Sequence, residues 1–228
     1  MTPTASTAYL ALSSARSYLN DTNAVTWPDA RLFPFLQEAH RELSAKLVAN
    51  GVAVVRQQTA QILVPALNQV LGQCGPIPLP NTPSNLVFPL SIVEKQTNDD
   101  VEFYVDMQQM NFVPLVDPVE ELIYWAWIGQ QIMLVGATND VDVILRYRGS
   151  LLTPQVITDN LGFIFAENYI GPRIASLAYM SVGNSKWKEF YTQAMDNMDL
   201  VIRMNISGNQ GVGIRRMAYR RGNLRRIF

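Results

Sequence analysis

The stretch that decides the fold is Thr26-Trp-Pro-Asp-Ala-Arg-Leu-Phe-Pro-Phe-Leu-Gln-Glu-Ala-His-Arg-Glu-Leu-Ser-Ala-Lys-Leu-Val-Ala-Asn-Gly51. Leu32, Leu36, Ala39, Leu43 and Leu47 recur at spacings of 4, 3, 4 and 4, which lays one apolar stripe along a long helix. Thr26 reads as its cap, Pro28 as an early helical proline and Asp29 as the capping-box acid. Asn50-Gly51 offers a left-handed stop, and Pro34 is expected to kink the first turns. Just upstream, residues 6–20 read as a short helix with Tyr9, Leu10, Leu12 and Leu19 on a partly apolar side.

Beyond residue 58 the period changes. Candidate strands are 61–64, 87–94, 101–106, 122–128, 131–135 and 141–148, with hairpin turns expected at Thr97-Asn-Asp-Asp100 and Thr138-Asn-Asp140. Gly75-Pro-Ile-Pro-Leu-Pro-Asn-Thr-Pro83 reads as an extended loop unable to join a central strand. After Thr153-Pro154 the helical period returns. One helix is expected over 163–182, bent or interrupted at Gly171-Pro172. Gly183-Asn184 turns the chain into a second, marked by Trp187, Phe190, Ala194, Met198 and Val201 and ending near Ile206. Two helices so closely linked pack as an antiparallel hairpin. The expected fold class is therefore α+β. Residues 1–57 give the N-terminal helices of a bundle, 58–153 a β-rich insertion, 154–208 the C-terminal helical hairpin, and 209–228 an extended arm.

Composition narrows the function. Charged residues make up 16% of the 228, well below the roughly 25% usual for globular domains, so partners are expected to cover part of the surface. A single Cys excludes a disulfide framework and a thiolate metal cage, and a single His excludes His-cluster metal sites. No cofactor or metal is expected, and catalysis is a poor fit. The N-terminus lacks a basic, then apolar, export signal, and the apolar run 162–182 contains Glu167, Asn168, Pro172 and Arg173, so no membrane span is expected. The expectation is a soluble protein made without export.

The net charge of −1 hides a separation. Residues 201–228 hold Arg203, Arg215, Arg216, Arg220, Arg221, Arg225 and Arg226 and no acid, leaving 11 basic against 19 acidic side chains in 1–200, a net of −8. An acidic body carries a basic arm, the usual mark of an interaction tail.

Other candidate sites have plain readings. His40, beside the Leu36/Leu43 stripe, reads as a bundle-edge histidine without a nucleophile partner. Cys74 lies in the Gly/Pro loop with no Cys or His nearby. Asp99-Asp100 and Asp140/Asp142 fall at expected hairpin tips, where turn chemistry alone favours Asp. The glycines of Gly208-Asn-Gln-Gly-Val-Gly213 lack the preceding strand and following helix of a phosphate loop, so Gly208, Gly211 and Gly213 read as a hinge. Tyr124-Trp-Ala-Trp127 could stack bases, but is more simply a strand with Trp125 and Trp127 on one face and Tyr124 on the other.

The arm is the informative feature. Arg215, Arg216, Arg220, Arg221, Arg225 and Arg226 interleave with Ile214, Met217, Tyr219, Leu224, Ile227 and Phe228. Apolar anchors between forked cations suit docking into a protein groove. Phosphate neutralisation on nucleic acid is the alternative, and a solvated tail a third reading.

Trp27-Pro-Asp-Ala-Arg-Leu-Phe-Pro-Phe-Leu-Gln-Glu-Ala-His-Arg-Glu-Leu43, followed by Leu47-Val-Ala-Asn-Gly-Val52, resembles the N-terminal helix of head-to-tail adaptor (connector) proteins of tailed bacteriophages. Val116-Asp-Pro118, Tyr124-Trp-Ala-Trp127, Val135-Gly-Ala-Thr138 and Arg146-Tyr-Arg148 follow in the order of that family, as do the helical hairpin and the Arg-rich terminus. The resemblance implies a structural virion protein of the head–tail neck, made in the host cytoplasm. It implies a dodecameric ring under the portal protein, joined to tail or neck proteins below. The bundle would surround DNA passing without sequence-specific contact, and residues 214–228 would dock on the portal. The Pro-rich loop and the large insertion exceed the smallest adaptors, so the insertion's partner stays open. An acidic channel would let DNA slide, multivalency would strengthen twelve arms on one portal, and the glycine hinge would let each arm order on docking.

Overall fold

The computed structural model describes residues 6–67, 76–98 and 101–206. It is a mixed α+β protein whose described residues form four helices and two sheets. The chain divides into a helical unit, residues 6–55 and 150–206, and a β unit, residues 56–149.

Helix α1 (Ala8–Leu19) starts where Thr7 Oγ1 accepts the Leu10 amide and stops at left-handed Asn20. Its buried face, Ala8, Ala11, Leu12, Ala15 and Leu19, is mostly alanine, which lets a neighbouring backbone come close. Helix α2 (Asp29–Ala49) buries the predicted stripe completely: Leu32, Leu36, Ala39, Leu43 and Leu47 are all inaccessible. Each such leucine contributes roughly 1.5–3 kcal/mol of transfer free energy. The helix ends at Asn50, and Gly51 takes the expected positive φ of 63°.

The start of α2 differs from the sequence reading. Thr26 is not the cap; Pro28 holds that position and makes no side-chain cap bond. The amides of Val25, Thr26 and Trp27 instead donate to the Asp21 carboxylate, at 3.0, 3.0 and 2.6 Å. Asp21 thus turns the chain, Pro28 O accepts the first helical amides of Arg31 and Leu32, and Asp29 pairs with Arg16 of α1. Pro34 lies inside α2 without ending it.

Helix α3 (Ala166–Ser181) is continuous through Gly171-Pro172, so the expected interruption is absent. The glycine serves packing instead. A Cβ there would lie 2.4 Å from Ser14 Oγ and 2.9 Å from Ser14 Cβ, so α1 and α3 approach closely at this point. Gly183, at φ 71°, turns the chain into α4 (Trp187–Ile206), as the spacing predicts. Tyr179 of α3 stacks on Phe190 of α4 at 5.5 Å, and Ser176 Oγ donates to Trp187 O.

The described residues of the β unit form nine strands. Three short ones were not read from sequence: β1 (Arg56–Gln58), β3 (Ile77–Pro78) and β6 (Gln108–Met110). The others are β2 (Ile62–Val64), β4 (Leu86–Asn98), β5 (Val101–Asp106), β7 (Tyr124–Ile128), β8 (Gln131–Leu134) and β9 (Val141–Gly149). One sheet runs β1-β9-β4-β5, with β2 also on β9; the other runs β3-β8-β7-β6. Strand β9 alternates buried and partly exposed residues along most of its length, the period of a sheet covered on one face. Ile92, Val143 and Leu145 of the first sheet share a core with Trp125, Ile132 and Leu134 of the second.

The β4–β5 hairpin forms as expected, in register to Asn98 opposite Val101. The hairpin expected at Thr138-Asn-Asp140 does not. Both edges of β8 are taken, by β3 and β7, so β9 has no edge to join and enters the other sheet. Gly136, at φ 91°, redirects the chain between them. The actual hairpin partner of β8 is β7, through Gly129 and Gln130 at φ 57° and 65°, the left-handed pair of a type I′ turn. Strand β7 starts at Tyr124, later than expected, because the Leu122 amide goes to Glu94. The Pro-rich segment is not wholly a loop: β3 occupies a sheet edge, where Pro78 needs no ladder amide.

The α1–α3 approach has a direct test. Gly171→Val should lower the unfolding free energy by about 2–3 kcal/mol, since the added Cβ itself overlaps Ser14. Urea titration measures it, and parent-like stability would show that the two helices do not meet there.

Candidate interaction site

The predicted arm and hinge fall within residues 207–228, outside the described residues, as do Cys74, Asp99 and Asp100. The remaining candidates are placed. His40 is not at an edge: it is fully buried, its Nε2 3.1 Å from Leu161 O and its ring stacked on Phe163. Its Nδ1 is enclosed and has no partner among the described residues, which fits a neutral ring donating through Nε2. Burial pushes the imidazole pKa down, partly opposed by the bond to Leu161. Asp140 Oδ1 accepts the Ala66 amide at 2.7 Å, a loop-holding role. Asp142 lies in β9 opposite Leu63 rather than at a turn.

The aromatic strand is largely interior. Trp125 is 1% exposed and its Nε1 donates to Met107 O at 3.3 Å. Trp127 packs against the same core, as the alternation predicts. Neither arrangement presents Trp125 to a base.

What the sequence reading missed is the surface beside that strand. Between β6 and β7 the chain leaves Phe112 78% and Leu115 99% exposed, with Val116, Val119 and Ile123 also open. Val116, Val119, Ile123, Tyr124, Val135 and Gly136 line a cleft of about 220 Å³, together with Asp117 and Glu121. That is smaller than the roughly 300–1,000 Å³ of small-molecule pockets, and suits one or two anchoring side chains. Strand β5, at a sheet edge, exposes Phe103, Tyr104 and Val105. Exposed apolar edges are normally blunted or covered.

The stretch of chain that carries this surface is acidic, with Lys95 of β4 opposite Tyr104 at the β5 edge. Residues 96–145 contain nine Asp and Glu and no Lys, Arg or His. Over the whole β unit, ten acidic side chains face four basic ones, whereas residues 6–55 and 150–206 hold nine acidic and eight basic. The acidity of the body therefore resides in the β unit, and the helical unit is close to neutral. Behind the cleft, buried Glu94 accepts the Leu122 amide at 3.0 Å and a Gln96 Nε2 bond at 3.2 Å. Its carboxyl is pushed up, chiefly by burial and further by the charge of Glu121. A signal for this surface was present in the cation-free run itself.

The helical unit contains a second polar cluster. Arg173 of α3 donates from Nη2 and Nε to the two oxygens of Glu42 of α2, at 2.6 and 2.8 Å. Tyr169 Oη donates to Glu42 Oε2 at 2.9 Å. The Arg173 fork holds the Glu42 carboxyl below its usual range, helped by Tyr169, and burial raises the tyrosine pKa. The guanidinium also lies 5.2 Å from the Tyr191 ring centre. A cavity of about 550 Å³ adjoins this cluster, lined by Glu42, Lys46, Arg173, Tyr191, Met195 and Met198. With Arg173 held by Glu42, the arrangement ties α3 to α2 and is not built as an anion site.

Among the described residues, no group of three or more His, Cys, Asp or Glu is placed to hold a metal, and no helix is long and apolar enough to cross a membrane. No protein-family model matches the chain, and no curated protein sequence matches it.

The single histidine makes a clean pH probe. Its folded-state pKa is depressed below the ordinary 6.5, so below that pH the unfolded chain takes up a proton that the folded chain refuses. This part of the stability is full above 6.5 and falls as the pH drops through and below it. Urea unfolding of His40→Gln between pH 7.5 and 5.5 should lose that slope; an unchanged slope would place its origin elsewhere.

Proposed function

We propose that the protein is a non-enzymatic structural subunit of a bacteriophage neck. Copies form a ring under the portal, join it to the tail and surround the DNA path, with the helices gathered as a bundle toward the bore and the Arg-rich terminus docked on the portal. The observation that carries this reading is the open apolar, acid-rimmed face of the β unit, on a chain whose terminal residues are basic and apolar. One chain with an open acid-rimmed face and a basic, apolar terminal sequence suits a component that meets more than one protein. The resemblance of residues 27–52 and of the layout to head-to-tail adaptors supports the same assignment. Because the helical unit is nearly neutral, easy DNA passage would depend on which side chains face the bore and not on a broadly acidic wall.

The test is the mass of the complex formed with the portal ring of the same virus. The full chain should load stoichiometrically, and a chain stopped at Gly208 should not. Loading unaffected by the truncation would remove the docking role of residues 214–228.

The seven arginines of 201–228 favour one second reading, direct phosphate binding by the arm. The two differ in salt response. Six phosphate contacts predict log affinity for DNA falling with log salt at a slope of about −5. A docked arm should instead lose portal affinity by about tenfold or more in Tyr219→Ala or Phe228→Ala.

A further inference from the structure

We propose that the β-unit cleft receives the C-terminal segment, residues 214–228, of a second copy of the chain. The inference rests on the ring reading above and names one of its contacts. The cleft and the segment are complementary. Val116, Val119, Ile123 and Tyr124 offer an apolar notch, and Asp117 and Glu121 stand on its wall. The notch is sized for single anchors, and the segment supplies them singly, spaced by arginines: Ile214, Met217, Tyr219, Leu224, Ile227 and Phe228.

Charge points to the same occupant. The excess of acids in residues 96–145 has its counterpart in the six arginines between 215 and 226, and in no other stretch of the chain are cations so dense. Burial, and after it the charge of Glu121, pushes the Glu94 carboxyl up, so an incoming guanidinium would meet negative charge already gathered on this wall. Each copy thus carries both halves of one contact, in different stretches of the chain. Such a contact is heterologous: it joins copies head to tail and closes into a ring when the rotation allows. Solvent-exposed pairs and a shallow notch make it a weak clasp, one that neighbouring copies use before the portal, engaging many arms at once, takes the segment over.

The experiment uses the full chain. Tyr219 is replaced by the photoreactive residue p-benzoylphenylalanine, and isotopically heavy and light chains are mixed and irradiated without portal. Cross-links should join heavy to light chains and map to residues 116–124. Asp117→Lys with Glu121→Lys should reduce their yield at least about fivefold, and adding Arg220→Glu with Arg221→Glu should restore it. Val119→Lys, at an exposed position, is a second variant that should act like the charge reversal, with circular dichroism confirming the fold. Cross-links within single chains only, at other sites, or undiminished by these variants would overturn the proposal. Portal loading, measured in parallel, separates the two readings. Loading without heavy–light cross-links overturns this contact and leaves the ring; cross-links without loading do the reverse.

Discussion

Arg173 can sit inside the helical unit only because Glu42 meets it with both oxygens. It lies on α3, which buries eleven of its sixteen residues, and the pair borders the cavity of about 550 Å³ beside it. Removing the carboxylate would take two charge-assisted hydrogen bonds from the guanidinium, a loss of about 1.5–3 kcal/mol. That is a large share of the roughly 5–15 kcal/mol by which domains are stable. The pair also fixes geometry. A forked bond between α2 and α3 sets their rotation, and the glycine two residues before it sets how closely α1 can lie. Apolar packing shared by all four helices supplies the cohesion, but apolar contact alone would tolerate several orientations; the polar tie and the tight glycine contact select one.

The β unit obeys a different constraint. Its interior is closed by alternation along β9 and by Trp125, yet it leaves Phe112, Leu115 and the edge strand β5 in water. A surface of that kind, with acids and without cations over fifty residues, is costly to carry unless something covers it. The Arg-rich terminus is its chemical opposite. On the proposed reading, the near-neutral helical unit is the scaffold, the acidic β face and the basic segment are the connectors, and ring closure brings them together.

Much of the helical part was legible because 3.6-residue periodicity is written in side chains that the core then buries: Leu32 to Leu47 in α2, Ala194 to Val201 in α4. Boundaries set by long-range bonds were not. Asp21 takes the amides that a Thr26 cap would have served, and Gly171 reads as a breaker in sequence although its role is a contact with a helix more than 150 residues away. Strand existence was largely readable, but strand partnership was not. Whether β8 pairs with β7 or β9 depends on which edges are already filled, and short polar strands such as β1 and β6 have no pattern without their partners. The open face was missed for a related reason. An apolar residue in an irregular segment looks like core until the packing around it is known, and Leu115 turns out to be in solvent. The terminal segment, which the sequence singled out most sharply, lies outside the described residues.

The central claim is that the β face and the Arg-rich terminus both become covered on assembly. Hydrogen–deuterium exchange of the full chain, free and loaded on the portal ring, tests it most directly. The account predicts slowed exchange concentrated in peptides from 101–128 and 207–228, with the α3 core unchanged. Unchanged exchange in both regions within a complex of confirmed mass would contradict it.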